Sequence, residues 1–248
     1  MSIKQQDTPV VPKVKICGIT TIKEADWLNA AGADYAGFVF YEKSKRNISM
    51  MNAMMIKKSL NPSVKTVAVT VSPTVGQLRA IEIAGFDILQ VHKELSLEVL
   101  RECKLPIWRA LNIGAFSDVP KPEAAGIQTE GERVGVDRTK AGETEAKQAE
   151  RRQLEHARIE AYVLDGVEFG SGRTFDWTSG SVAQIKALFG DKKLVLAGGL
   201  TPSNVTEGIE IFRPDIVDVS SGVEKESGIG KDEEKIYQFI RKVREKNE

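Results

Sequence analysis

The chain has 248 residues, 35 Lys+Arg against 35 Asp+Glu, 41% apolar and 28% charged residues. This is an ordinary globular composition with ample chain to bury a core. Zero net charge argues against a long basic footprint for nucleic acid, and the absence of an apolar run of about 18 residues argues against a membrane span.

Taken in chain order, short apolar, β-branched runs alternate with segments of helical spacing. The predicted strands are 14–19, 34–40, 65–71, 87–92, 106–112, 161–166, 194–200 and 216–221. The clearest helical patterns are 22–31, 50–60, 74–84, 182–189 and 231–243, the last placing Ile236, Phe239, Ile240 and Val243 on one face. Such alternation implies parallel strands joined by right-handed crossovers, and eight units in about 250 residues is the requirement of a closed (β/α)8 barrel. A doubly wound open sheet would carry a Gly-rich fingerprint after its first strand. Here Lys15-Ile-Cys-Gly-Ile-Thr20 stands instead, so a single TIM-barrel domain over residues 1–248 is expected, with residues 1–13 as a tail.

One stretch breaks the rhythm: about 48 residues separate predicted strands five and six, far more than one helical crossover needs. Residues 121–155 contain no aromatic side chain and mix seven basic with eight acidic residues. Residues 120–142 read as a polar loop, and 143–159 as a lengthened helix with i,i+4 charge pairs such as Glu143–Lys147. Residues 120–155 are therefore a polar insertion at the face where barrels carry their active sites.

The N-terminus lacks the apolar stretch of a signal peptide, which predicts a cytoplasmic protein. Two cysteines, Cys17 and Cys103, stand in no metal-ligand spacing, and His92 and His156 are the only histidines, so no metal is expected. Acid–base chemistry then leans on Cys, Asp, Glu or Lys. Period-two alternation turns Lys15 and Cys17 to the inside of strand one and Asp165 to the inside of strand six. A thiol and a carboxyl at one mouth form a candidate base and acid, and a cation as close as Lys15 lowers a thiol pKa from about 8.5. His92 ends strand four at the same mouth, and Asp218 on strand eight either orders the site or satisfies neighbouring backbone. Arg46, after strand two, has the fork to hold a substrate carboxylate. Three Gly-rich segments, around Gly172, at Gly198-Gly199 and at Ser221-Gly222, follow later strands, and the last two sit where barrels commonly cradle a phosphate. The tryptophans Trp27, Trp108 and Trp177 read as packing residues.

The runs Lys15–Thr20, Gly32–Phe40, Ser44–Arg46, Gln90–His92, Leu164-Asp165, Gly170–Trp177, Leu196–Asn204 and Val217–Glu224 together resemble phosphoribosylanthranilate isomerase, in family order. The resemblance implies an Amadori rearrangement in tryptophan synthesis, without metal or cofactor, on a phosphorylated small molecule. It implies Cys17 as general base, Asp165 as general acid and Arg46 at the anthranilate carboxylate. The phosphate is expected on the Gly198–Gly199 and Ser221–Gly222 backbones, with Gly172 nearby, and the protein as a monomer or homodimer. Two departures stand out: Lys93 follows His92 where the family usually has Gly, and the 120–155 segment is additional. Among competing readings, the aminoaldose isomerase of histidine synthesis would want a carboxylate in place of Cys17. Indole-glycerol-phosphate synthase would want further Lys and Glu at strand ends. A non-catalytic phosphate-binding barrel would have a damaged acid–base pair.

Overall fold

Strands of the sheet lie in chain order and close on themselves, β1 (Lys13–Cys17) pairing in parallel with both β2 (Tyr35–Val39) and β8 (Ile216–Val219). Between them stand β3 (Lys65–Thr70), β4 (Ile88–Val91), β5 (Ile107–Asn112), β6 (Ile159–Asp165) and β7 (Lys193–Leu196). This computed structural model describes residues 11–112, 145–165, 189–228 and 230–245. Numbered in chain order among these residues, the helices are α1 (Ile22–Ala31), α2 (Met50–Lys57), α3 (Val75–Ile83), α4 (Leu97–Glu102), α5 (Glu145–Arg158), α6 (Val205–Phe212) and α7 (Glu233–Arg244). The expected TIM barrel is what the chain forms. Residues 120–144 of the expected insertion, and 182–188 of an expected helix, lie outside the described residues, whereas α5 covers the predicted lengthened helix.

Strand alternation sorts the apolar residues into two layers. Val14, Ile16, Ala36, Phe38, Leu89, Leu164 and Val217 face the helices, while Tyr35, Val67, Val69, Ile88, Trp108, Ala110, Val163 and Ile216 fill the barrel interior. Trp108 is fully buried there, edge-on to Tyr35 with ring centroids 5.1 Å apart, which is a packing role. The helices begin where polar caps replace missing partners. Thr21 and Thr74 close capping boxes with Glu24 and Gln77, and Ser49, Ser96 and Asp232 each accept a backbone N–H of the first turn. The buried face of α7 is the predicted one, Ile236, Phe239, Ile240 and Val243.

Three aspartates at the foot of the barrel pin strand to strand. Asp34 accepts the N–H of Val14, Asp87 that of Thr66, and Asp215 that of Leu194, each at 2.8 Å. At the opposite end the strands are shorter than the apolar runs suggested. β7 stops at Leu196 because Gly198 and Gly199 turn to φ of 79° and 71°, and β8 stops at Val219 because Ser221–Val223 winds into a 3-10 turn. The sequence reading did not single out α4 or α6, which are short.

Candidate active site

The carboxyl ends of the strands open on a cavity of about 570 Å³. Its lining brings together Cys17, Arg46, His92, Asp165, Gly198, Gly199, Asp218 and Ser221, eight residues named from the sequence. Gly222 lies directly behind Ser221, and Gly172 lies outside the described residues.

At the floor, Lys15 and Asp218 stand opposite one another on β1 and β8, with Lys15 Nζ 2.6 Å from Asp218 Oδ2 and Lys15 fully buried. Burial alone would depress the Lys15 ammonium, but Asp218 and the Cys17 sulfur hold it above the usual lysine range. Asp218 Oδ1 is buried beside the cavity and has no partner among the described residues. Cys17, one layer nearer the mouth, registers against Gly37 of β2. A Cβ on Gly37 would lie 2.9 Å from Cys17 Sγ, so only glycine leaves the thiol its place.

The expected direction of the Cys17 shift is corrected here. Burial pushes the thiol above its ordinary value, and Asp218 adds to this; Lys15 and Lys231 oppose it without prevailing. The sequence spacing foresees the pull of Lys15. It does not reveal that Asp218 already neutralises that charge, nor the desolvation of a thiol set inside the barrel.

His92 is held neutral. Burial, reinforced by the charges of Lys15 and Arg109, drops its pKa to about 3. The Gln90 amide nitrogen donates to His92 Nε2 at 2.9 Å, which a neutral ring accepts. Asp165 reaches the cavity from the end of β6, with Val163 below it on the same inward face.

On the far side, Gly18 and the loop after β2 place Arg46. Gly18 adopts φ 84°, and a Cβ there would meet Arg46 Cδ at 2.5 Å, so the arginine stem lies flat on bare backbone. Glu224, which follows the 3-10 turn, receives Arg46 Nε at 2.5 Å, Lys45 Nζ at 2.8 Å and Lys231 Nζ at 3.3 Å. Burial raises a carboxyl, but these three cations hold Glu224 down at about 2. Between β7 and β8 the chains meet closely. A Cβ on Gly222 would fall 1.9 Å from the Leu200 carbonyl oxygen, which leaves no space for one. This contact brings the Gly198–Gly199 bend and the 3-10 turn together as backbone around one side of the cavity.

Sequence reasoning missed Gly37, Gln90, Glu224 and Lys231 as site residues. Glu224 and Lys231 are seven residues apart and meet only because a short hairpin bridges them. The available signal was a lone acid closing a Gly-rich segment at the active-site face.

A parallel barrel whose mouth sets a thiol and a carboxyl around one cavity, beside a bend of glycine backbone, has the groups that acid–base chemistry on a small molecule requires. The model of the N-(5'phosphoribosyl)anthranilate (PRA) isomerase family matches residues 14–146 and 127–242. An N-(5'-phosphoribosyl)anthranilate isomerase of Streptococcus gordonii is 36% identical over 235 residues, covering 94% of this chain and 98% of that protein. The crystal structure of phosphoribosyl anthranilate isomerase from Thermotoga maritima is similar at a TM-score of 0.71 and 32% identity, over 94% of this chain and 98% of the other. A further structure of this isomerase, in complex with reduced 1-(o-carboxyphenylamino)-1-deoxyribulose 5-phosphate, is similar at a TM-score of 0.69 and 30% identity, with coverage of 94% and 98%. The chain belongs to the N-(5'-phosphoribosyl)anthranilate isomerase family.

Proposed function

We propose that this chain performs the reaction of its family with Cys17 as general base and Asp165 as general acid. The reaction converts N-(5'-phosphoribosyl)anthranilate to 1-(2-carboxyphenylamino)-1-deoxyribulose 5-phosphate in tryptophan biosynthesis. The observation that carries these roles is that both side chains, from the ends of β1 and β6, line the one cavity at the barrel mouth. That cavity also has an arginine on one side and a glycine backbone cradle on another.

In this reading Asp165 protonates the ribose ring oxygen, the C1'–O bond breaks, and the anthranilate nitrogen becomes an iminium. Cys17 then removes the C2' proton, and the freed electron pair forms C1'=C2' as it neutralises the iminium. The resulting enolamine tautomerises to the ketone. A thiol raised by burial suits this order of events, because the iminium beside it is a new cation that draws the thiol down at the step needing thiolate. Arg46 holds the anthranilate carboxylate, and the backbones of Gly198–Gly199 and Ser221–Gly222 hold the phosphate, with Gly172 nearby. Asp218 offers its second oxygen to a sugar hydroxyl, and neutral His92 hydrogen-bonds without titrating. Side chains alone move the protons, so neither metal nor cofactor enters.

The same reading takes residues 1–248 as one barrel domain, cytoplasmic, monomeric or homodimeric, acting without nucleic acid or membrane. No helix among the described residues is long and apolar enough to cross a membrane. The deciding experiment follows the fluorescence of freshly generated phosphoribosylanthranilate on addition of the purified protein. Consumption is expected; a trace identical to the spontaneous decay overturns the function.

A further inference from the structure

Of the polar groups that line or underlie the cavity, Glu224 has no role in the reaction steps above. Yet it is 6% exposed and touches three cations from two distant places in the chain. Lys45 and Arg46 come from the loop after β2, and Lys231 from the segment leading into α7. Lys231 is itself 1% exposed and tied down further: its Nζ donates to the Ser220 carbonyl at 3.0 Å, and its N–H donates to Glu24 Oε1 at 2.7 Å. Glu24 Oε2 in turn accepts the N–H groups of Thr20 and Thr21, at 2.7 and 3.0 Å, in the loop after β1. Ser220 Oγ donates to the carbonyl of Cys17 at 3.0 Å. Glu224 is therefore the junction at which the loops after β1, β2 and β8 are joined.

The consequence for Arg46 is geometric. The guanidinium is planar, so fixing Nε on Glu224 and the stem on Gly18 fixes where the two terminal nitrogens point. The residue is 12% exposed, lines the cavity, and its buried Nη2 has no partner among the described residues. A buried guanidinium nitrogen left without an acceptor is costly unless a ligand supplies one.

We propose that Glu224 is a positioning residue for substrate binding: it holds Arg46 by Nε so that Nη2 stays presented to the carboxylate of the substrate. Glu224 touches no reacting atom. Its negative charge also offsets one of the three cations around it, so the site keeps a net attraction for an anion with less positive charge around the cavity. The inference rests on the assignment of Arg46 to the substrate carboxylate, and the test separates the two.

The experiment is a double-mutant cycle on KM and kcat with freshly generated phosphoribosylanthranilate. Its variants are Glu224→Gln, Glu224→Asp and Arg46→Ala, each Glu224 variant also being made in the Arg46→Ala background. Glu224→Asp keeps the charge that buried Lys231 needs and withdraws the carboxylate by one methylene, so a fold-compatible variant is available if Glu224→Gln melts early. In the wild-type background both Glu224 variants are expected to raise KM by about 10-fold or more, the scale of a hydrogen bond between charged groups. The expected change in kcat is much smaller. In the Arg46→Ala background they are expected to raise KM no further. A normal KM in a folded Glu224 variant overturns the inference, as does an equal rise in KM in both backgrounds, which marks a merely structural role. A normal KM in Arg46→Ala alone overturns the carboxylate assignment and the inference with it.

Discussion

In the proposed reaction Cys17 and Asp165 carry opposite demands. One must give up a proton to become a base, and the other must hold one to become an acid, at the same pH and around one cavity. In the substrate-free site burial keeps the Cys17 thiol protonated beyond its ordinary range, despite Lys15 and Lys231. The pH profile of kcat/KM, which reports the free enzyme, is therefore expected to keep rising into the alkaline range, its limb vanishing in Cys17→Ala. Cys17→Ala and Asp165→Asn are each expected to lower kcat at least ~100-fold with melting temperatures near the parent's, the usual scale for losing a general base or acid. Near-normal turnover in either variant removes that residue from the mechanism. Cys17, Asp165 and Arg46 were legible because alternation along a strand, and position after it, are local properties. The sign of the thiol shift was not, because it depends first on burial inside the closed barrel and then on Asp218, which is 201 positions along the chain from Cys17 and meets Lys15 only when the barrel closes.

At the scale of elements, the order of strands and helices was readable because each parallel strand, covered on both faces, is a short apolar run, and each helix has one apolar face. What failed was the ends of β7 and β8. An apolar run continues through Ala197 and Leu200, but the glycines between them adopt left-handed backbone and turn the chain into the cavity wall. Periodicity sees hydrophobicity and not φ. The short α4 and α6, of six and eight residues, also escaped. Gly222 tests the cradle that these ends create. Gly222→Ala forces a Cβ against the Leu200 carbonyl and must push the 3-10 turn away from the Gly198–Gly199 bend. KM is expected to rise by about 10-fold or more, the scale of lost hydrogen bonds to a charged phosphate. Competitive inhibition by inorganic phosphate is expected to weaken in parallel. An unchanged phosphate inhibition constant would show that the cradle lies elsewhere.

For the molecule as a whole, two groups make stability depend on pH in the same direction. The unfolded chain protonates His92 near 6.5, whereas the folded protein resists until about 3. It protonates Glu224 near 4.5, whereas the folded protein resists until about 2. In both intervals the unfolded state binds more protons, so stability falls as pH falls, beginning below 6.5 and steepening below 4.5. Thermal melts from pH 8 to pH 3 are expected to show this decline, each kcal/mol lost lowering Tm by about 2–4 °C in a domain of this size. His92→Gln is expected to flatten the upper part, between about 6.5 and 4.5, and to leave the lower part in place. A Tm that holds steady down to pH 4 contradicts both assignments.

The three aspartates at the foot of the barrel, Asp34, Asp87 and Asp215, bear on how this scaffold tolerates change. Each locks the alignment of its own strand with the one before it, at the end remote from the cavity. Register is thus secured where no ligand sits, and the mouth is left free to vary its chemistry. A library randomising cavity residues such as Tyr41, Lys43 and Lys93 should consist mostly of cooperatively melting proteins. One randomising the three foot aspartates should be mostly insoluble, because a slip of one residue exchanges the inside of the barrel for its outside. The barrel in this sense divides its tasks, one rim fixing the frame and the other holding the cavity.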